Sequence, residues 1–217
     1  PAGDSLAAWV RARLPAGWRE SARVVQAPGG AEEDTDGGFA HGGWSMPYFD
    51  PETMGAFIDE ATATTDVLLF GRRTWQTMAA AWPDRDDGSD PFATYMNSIT
   101  KYVVSNTLTD ADLTWANSVL VRGDDPVVAV RELKQRDGGD LGMMGSPHLS
   151  RTLMAAGLVD EYRLLIEPVL LGGGKSMFPT DGERRPLELV STSTSPTGVL
   201  LCVYRPGETP PMPDWEG

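Results

Sequence analysis

The sequence predicts an α/β protein with three αβα layers, in which a central, mostly parallel sheet ends in an antiparallel C-terminal edge. Three observations lead to this fold class. Short apolar runs alternate with helical segments, which is typical of parallel βαβ units. Three helical segments share one start signal, a capping residue followed by proline. The last third of the chain has apolar runs with no helical segment between them, which favours antiparallel pairing.

Four apolar runs have the length and composition of buried strands. They are Val67–Phe70, Tyr102–Val104, Val119–Val121 and Leu141–Met144. Continuous apolar runs of this kind are typical of strands that are covered on both faces. We therefore expect helices on both sides of the sheet.

Helices are expected to begin at Asp50, Asp125 and Ser146. Each of these side chains can cap a helix N-terminus, and each is followed by proline, which is favoured at the first helical position. The first of these segments then places apolar residues at helical spacing, namely Met54, Phe57, Ile58 and Ala61. Gly157 supplies a C-terminal stop for the third segment.

The C-terminal third is predicted to contain three strands. They lie in the segments EYRLLIEPVLL, LELVSTSTS and GVLLCVYRP, and SPTG at Ser195–Gly198 has turn composition. At 217 residues the chain fits one domain. We divide it into an atypical N-terminal segment (1–23), a core (24–204) and a proline-rich tail (205–217). Leu6–Leu14 could form a short helix that ends at Pro15.

The charge and cysteine content exclude several functions. A formal net charge of -13 repels nucleic-acid phosphates and anionic lipids, so neither nucleic acid nor membrane is expected as a partner. Cys202 is the single cysteine, so no internal disulfide can form, and we expect a reducing cytoplasm. His41 and His148 lie far apart and near no nucleophile motif, which supports neither a zinc site nor a catalytic triad.

Two arginines stand at a predicted strand-to-helix turn, in the stretch Gly71-Arg72-Arg73-Thr74. Cations are disfavoured at a helix N-terminus, and no acid follows before Asp84. A bound phosphate would explain this arrangement, because helix N–H groups and guanidinium groups both bind phosphate. A solvated basic pair, or a pair that bridges surface carboxylates, is the open alternative.

Other turns offer weaker signals. Gly142, Gly145 and Ser146 follow a strand and precede a helix, where they form either a second phosphate turn or an ordinary capped turn. Ser105 and Asn106 end a strand, where they either contact a ribose phosphate or form a local turn. The segment LGGGKS is not a phosphate-binding P-loop, because Val169 stands where that motif needs glycine.

A long glycine-rich acidic loop, Ala27–Trp44, is expected to be a functional cover or a mobile surface loop. Trp44 and Tyr48 at its end could stack on a planar substrate or could seal the core. Asp50 and Glu52 follow them at the predicted helix start.

Several ordered segments together resemble the dihydrofolate reductase-like superfamily, and most of all the reductase family related to the C-terminal half of the bacterial riboflavin-biosynthesis deaminase-reductase. They are VLLFGRRTWQTM, KYVVSNTL, GMMGSPHLSRTLMAAGLVDEYRLLIEPVLLGGGKSMF and PGGAEEDTDGGFAHGGW. The resemblance covers about Val24 to Tyr204. It implies a dihydrofolate reductase-like fold, a cytoplasmic homodimer and NADPH as the cofactor.

The resemblance also assigns cofactor-binding residues. The phosphate-binding turn corresponds to Gly71, Arg72, Arg73 and Thr74. The strand end near the adenosine ribose phosphate corresponds to Ser105 and Asn106. The pyrophosphate turn corresponds to Gly145 and Ser146, followed by Leu149. Two arginines would favour the 2′-phosphorylated cofactor over NADH.

The implied reaction is hydride transfer from NADPH to a C=N or C=O bond of a small pteridine-like or pyrimidine-like heterocycle. Asp50 and Glu52 are the candidates for supplying a proton, and Asp50 is also a candidate helix cap. The alternatives are a non-catalytic protein that binds NADPH or a flavin-like nucleotide, and an inert dimeric scaffold.

The sequence departs from the family in two respects. It contains neither H-x-E nor P-C-x-x-C, so we expect a reductase-like domain without the zinc deaminase half. Family members also carry an apolar strand just before the position of Val24, where this chain has RARLPAGWRESAR. Either residues 4–14 supply a substitute strand or the N-terminal segment is abnormal.

Overall fold

A computed structural model describes residues 24–85, 88–123 and 125–211. The predictions made for residues 1–23, including a short helix or substitute strand there, lie outside the described residues. Within the described ranges, no helix has the length and apolar character needed to cross a bilayer.

The first sheet contains four parallel strands, as predicted. They are β1 (Thr65–Gly71), β2 (Thr100–Val104), β3 (Ser118–Val121) and β4 (Asp140–Gly142), in the order β3-β2-β1-β4. All three pairings are parallel. The fourth strand is shorter than its apolar run, since Met143 and Met144 belong to the turn that follows it.

Within the described residues, five α-helices precede, connect or follow the strands of this sheet. They are α1 (Thr53–Thr62), α2 (Arg72–Ala81), α3 (Pro91–Ser98), α4 (Pro126–Lys134) and α5 (Pro147–Ala155). The third was not predicted, although Asp90 and Pro91 repeat the start signal of the others and the Asp90 side chain accepts a hydrogen bond from the Phe92 N–H.

The core confirms the three layers, because alternate residues of β1 pack on opposite faces of the sheet. Leu68 and Phe70 contact Trp75 of α2 and Met96 of α3 in one cluster. Leu69 belongs to the other cluster, with side chains from α4 and α5. Burial of both faces explains the continuous apolar runs that the sequence shows.

The C-terminal strands are antiparallel, as predicted, and form a three-stranded sheet of their own. The strands β5 (Tyr162–Ile166), β6 (Leu187–Thr194) and β7 (Leu200–Pro206) occur in the order β5-β7-β6. The predicted tail begins later than expected, because β7 includes Arg205 and Pro206, which pair with β6.

Candidate functional site

The carboxyl ends of β1 and β4 lie at a reversal of strand order. From β1 the chain moves outward to β2 and β3, and it then returns to the opposite side of β1 as β4. In open α/β sheets such a reversal leaves a crevice at the carboxyl ends of the strands, where ligands bind. Here α2 begins directly after β1, and α5 begins a short turn after β4.

Hydrogen bonds join the two turns that follow these strands. The backbone N–H of Gly71 donates to the Ser146 hydroxyl at 2.8 Å. The backbone N–H of Ser146 donates to the Thr74 hydroxyl at 3.0 Å. Glycine is strongly favoured at position 145, where φ is +67° and a Cβ would lie 3.3 Å from the Thr74 methyl group. The two turns are therefore held in one fixed arrangement.

The hydroxyl groups of Ser146 and Thr74 can each still donate a hydrogen bond to a ligand. Each oxygen accepts one bond from the protein, while within the described residues neither hydroxyl hydrogen has an acceptor. A serine or threonine hydroxyl can donate one hydrogen bond while it accepts others. Ser146 and Thr74 can therefore both donate to an anion in the crevice.

The starts of α2 and α5 lack side-chain caps. Asp50, Asp90 and Asp125 accept hydrogen bonds from the first turns of α1, α3 and α4. At α2 the capping position is Gly71, which has no side chain to offer. The prediction that Ser146 caps α5 is wrong, because Ser146 has φ +60° and its hydroxyl bonds to Gly71 instead. Within the part of the chain that the structure describes, first-turn N–H groups at these two helix starts therefore lack a side-chain acceptor.

A cavity of about 750 Å³ opens over the two turns. This volume is within the range of small-molecule sites. Its walls include both turns, the end of β2, the segment before the glycine-rich loop and part of that loop, including Glu33 and Asp34. Of the predicted cofactor-binding residues it contains Gly71, Arg72, Arg73, Thr74, Gly145, Ser146 and Leu149.

Arg72 and Arg73, at the turn between β1 and α2, differ in their partners. Within the described residues, Arg72 makes no ion pair or side-chain hydrogen bond. Arg73 instead pairs with Asp36. The sequence shows no acid beside this pair, and the structure brings one from the glycine-rich loop. Arg151 of α5 adds a further guanidinium group to the cavity wall, also without an ion pair in the described part of the chain.

Lys175 connects the glycine-rich loop to the C-terminal part of the chain. Its ammonium group lies 2.5 Å from the Asp34 carboxylate and 2.9 Å from that of Asp36. The hydrogen bond and positive charge of Lys175, with the charge of Arg73, hold the pKa of Asp36 below its ordinary value. Asp36 is therefore ionised at neutral pH.

A second cavity, of about 570 Å³, lies beside the first and shares Gln26 and Lys175 with it. Phe39 and His41 line this cavity, with their ring centroids 5.5 Å apart and their planes nearly perpendicular. Gln26 is buried between the cavities, and its amide donates to the Asp34 backbone carbonyl at 2.9 Å. The two cavities are therefore divided by a fixed polar wall.

Some predicted cofactor-binding residues have local contacts. Ser105 is buried, and its hydroxyl accepts hydrogen bonds from the N–H groups of Thr107 and Leu108 at 3.2 and 3.1 Å. The Asn106 amide pairs with both backbone groups of Gly123. Neither residue lines the cavity. These contacts correspond to the local turn that the sequence left open.

The remaining predicted residues lie outside both cavities. The Trp44 indole N–H donates to the Gln26 carbonyl at 2.8 Å, and Tyr48 packs against a small apolar cluster. The Asp50 carboxylate accepts the Thr53 N–H at 2.7 Å, and hydrogen bonds from Thr53 hold the pKa of Asp50 below its ordinary value. Glu52 is exposed. Their proposed contacts with substrate stay predictions.

Sequence reasoning missed Asp36, Lys175, Gln26 and Arg151. The only local signals were acidic residues in a glycine-rich loop and a lysine in the segment LGGGKS, where Val169 stands in place of the glycine that a P-loop needs. Within the described residues, no cluster of three or more His, Cys, Asp or Glu side chains is arranged to bind a metal ion.

Residues 35–201 match the family of the RibD C-terminal domain. The chain is also 33% identical, over 141 residues, to the uncharacterized protein YyaP of Bacillus subtilis (strain 168). That match covers 64% of this chain and 73% of YyaP.

Solved structures share the fold at low identity. A Shewanella sp. PV-4 protein assigned by name to riboflavin biosynthesis matches with a TM-score of 0.61 and 20% identity, over 76% of this chain and 88% of its own. A pyrimidine reductase-like protein from Corynebacterium diphtheriae matches at 0.53 and 15%, over 76% and 85%. Acinetobacter baumannii RibD matches at 0.52 and 15%, over 70% of this chain and 49% of RibD.

Proposed function

The chain belongs to the RibD C-terminal domain family, and from this premise we propose that it is an NADPH-dependent reductase. The proposed reaction transfers hydride to a C=N or C=O bond of a small pteridine-like or pyrimidine-like heterocycle. The family, and neighbours named for riboflavin biosynthesis and pyrimidine reduction, support a reductase-like fold of the riboflavin pathway. The NADPH cofactor and the substrate class are the parts that we propose.

One observation carries the proposal. Among the described residues, no side chain accepts a hydrogen bond from the first turns of α2 and α5, the two helix starts at the strand-order reversal, whereas Asp50, Asp90 and Asp125 accept one at the starts of α1, α3 and α4. A capped helix start has already satisfied part of its hydrogen-bonding capacity, whereas an uncapped one can bind phosphate through its N–H groups and dipole. Arg72, unpaired within the described residues, lies at the first of these starts. The donor set therefore fits a phosphorylated cofactor.

Five residues of the cavity wall have a role in this proposal. Arg72 and the first-turn N–H groups of α2 would bind one phosphate group, while Thr74 and Ser146 would donate their hydroxyl hydrogens. Gly145 allows the ligand to approach the backbone closely. Leu149 would contribute its backbone N–H, because its side chain packs in the core. NADPH, when bound, supplies the hydride.

The substrate would occupy the crevice beside the cofactor. The second cavity offers aromatic side chains for this purpose, Phe39 and His41, next to the wall formed by Gln26 and Lys175. A planar heterocycle could pack on such rings. Proton supply by Asp50 or Glu52, and stacking by Trp44 or Tyr48, would require these residues to change the contacts described above.

Three measurements test the proposal. NADPH binding is followed by nicotinamide fluorescence, and NADPH oxidation is followed by absorbance in the presence of pteridine and pyrimidine candidates. Binding with substrate-dependent oxidation is expected. Binding without oxidation by any candidate would favour the alternative, a non-catalytic protein that binds NADPH or a flavin-like nucleotide. No thermal shift at NADPH concentrations far above a micromolar affinity would favour an inert scaffold.

We also propose that the chain forms a homodimer through β6. This strand pairs only with β7 within the described part of the chain, and all eight of its residues are exposed. Leu187, Leu189 and Val190 are among the exposed large apolar side chains. An exposed apolar edge strand can pair with another chain, and a second copy of this chain would cover both the edge and its leucines.

A further inference from the structure

Asp36 of the glycine-rich loop binds a cation of the candidate phosphate cavity. Its carboxylate pairs with Arg73, which lines the 750 Å³ cavity in the first turn of α2. Within the described residues this is the sole hydrogen bond between the 26–44 segment and α2. The Arg73 side chain is 67% exposed and that of Asp36 is 51% exposed. The ion pair is therefore open to solvent and to any competing anion.

The Asp36 carboxylate also pairs with a second cation, Lys175. The Lys175 ammonium group is 2.9 Å from Asp36 and also binds Asp34. Removing a carboxylate from one partner is costly when the charge is then left without any partner. Asp36 would still have Lys175 after leaving Arg73. Exchange of Asp36 for another anion on Arg73 is therefore inexpensive.

A phosphate group at Arg73 would make more favourable contacts there than the Asp36 carboxylate makes. A phosphate at Arg73 can also accept hydrogen bonds from the uncapped first-turn N–H groups of α2, and it carries up to two negative charges. Solvent-exposed ion pairs contribute little to stability, because water screens them. A phosphorylated ligand would consequently replace the carboxylate at Arg73 rather than bind beside it.

We propose that Asp36 is an internal competitor for phosphate at Arg73, and that it sets the affinity of the cavity for phosphorylated ligands. This inference rests on the proposed function only in that the cavity binds phosphate. It divides the arginine pair: among the described residues Arg72 has no competing partner, whereas Arg73 becomes available to a ligand only when Asp36 is displaced.

The test is calorimetric titration of the full chain with inorganic pyrophosphate and, separately, with NADPH. Asp36→Asn keeps the side-chain shape and removes the competing charge, so it should tighten binding about two- to fivefold. The matched control is Asp181→Asn, which breaks an exposed Asp181–Arg185 ion pair of 2.7 Å outside both cavities and should leave binding unchanged. Thermal melts verify folding, and Asp36→Ser provides a second variant.

Arg73→Ala completes a double-mutant cycle. If Asp36 competes at Arg73, the gain from Asp36→Asn should fall below about twofold once Arg73 is absent. Unchanged or weaker binding in Asp36→Asn, a gain of equal size in the Arg73→Ala background, or no detectable pyrophosphate binding in either protein would overturn the inference. Tighter pyrophosphate binding together with no NADPH binding would support it and would refute the reductase proposal alone.

Discussion

The Ser146 hydroxyl accepts a hydrogen bond from the Gly71 backbone N–H at 2.8 Å, across 75 residues of sequence. This contact joins the turn after β1 to the turn after β4, and it removes Ser146 from the capping role that its position before Pro147 suggests. Among the described residues, the helix start at α5 is thereby left without a side-chain acceptor. One hydrogen bond thus fixes the two turns relative to each other and, among the described residues, leaves the proposed phosphate site at α5 without a side-chain cap.

Replacing Ser146 with alanine should lower the free energy of unfolding by about 1–3 kcal/mol, because the partly buried Gly71 N–H loses its acceptor. Alanine and serine share the cost of positive φ, so the change isolates the hydroxyl. Urea unfolding measures the effect. The control is Ser98→Ala, whose exposed hydroxyl donates to the Tyr95 carbonyl at 3.2 Å and which should change stability by less than about 0.5 kcal/mol. Equal effects of the two variants would argue against the contact.

Replacing Arg72 with alanine should weaken NADPH binding by about tenfold or more, since a charge-assisted hydrogen bond to phosphate is lost. The Arg72→Ala/Arg73→Ala double variant should weaken NADPH far more than NADH if the pair binds the 2′-phosphate. Fluorescence titration of both nucleotides provides the comparison.

The control for this experiment is Arg131→Ala. Arg131 is an exposed arginine of α4 that lines neither cavity and has no ion pair within the described residues. Its removal should leave the affinity for NADPH unchanged. If NADPH and NADH lose affinity equally in the double variant, or neither does, the assignment to the 2′-phosphate is refuted.

Stability should rise with pH above neutrality because of Lys101. Its side chain is fully buried, donates to the carbonyls of Ile99 and Ala116 at 2.7 and 3.0 Å, and lies over the Trp115 ring. Burial lowers the pKa of Lys101 to about 8, from an ordinary value of 10.5. Above pH 8 the unfolded chain therefore binds more protons than the folded one. The free energy of unfolding should rise with pH, by at most about 1.4 kcal/mol per pH unit.

Urea unfolding from about pH 7.5 to about pH 9.5 measures this slope, with Lys101→Met as the comparison. The variant should be less stable at each pH, because the Ile99 and Ala116 carbonyls lose their donor, but its stability should not rise over this interval. Burial raises the pKa values of Tyr95 and Tyr162 above 10, so these groups keep their protons there. A variant with the wild-type slope would show that another group causes the rise.

If the homodimer forms through β6, a charged side chain introduced on this strand should dissociate the dimer into monomers. Leu189 is 49% exposed on this strand, and Leu189→Asp should shift the mass measured by light scattering from dimer to monomer. A carboxylate buried in an interface without a partner is strongly unfavourable. Val119→Asp is the control, because Val119 is 46% exposed on β3 of the other sheet. A monomeric wild-type protein at all concentrations would refute the proposal.

The sequence by itself predicted most of the fold, because the relevant signals are local. An aspartate before proline at positions 50 and 125 caps a helix whatever the rest of the chain does. The same signal at Asp90 was sufficient to locate α3 and was overlooked. Apolar runs identified the strands of the parallel sheet, since burial of both faces leaves a continuous pattern in the sequence. The strand-to-helix turn at Gly71 followed from the apolar run before it and from the helical composition of the segment after it.

Only the tertiary structure decided which groups meet at the site. Asp36 reaches Arg73 across 37 residues, and Lys175 reaches Asp34 across 141. Ion pairs between residues so far apart leave no periodic pattern in the sequence. The sequence therefore shows no acidic partner for Arg72 or Arg73, although Arg73 pairs with Asp36 in the structure. Ser146 carries every local mark of a helix cap, yet its hydroxyl bonds to Gly71. Local chemistry determined the helices and strands of this protein, whereas the partners of its polar side chains depend on distances that exist only once the chain has folded.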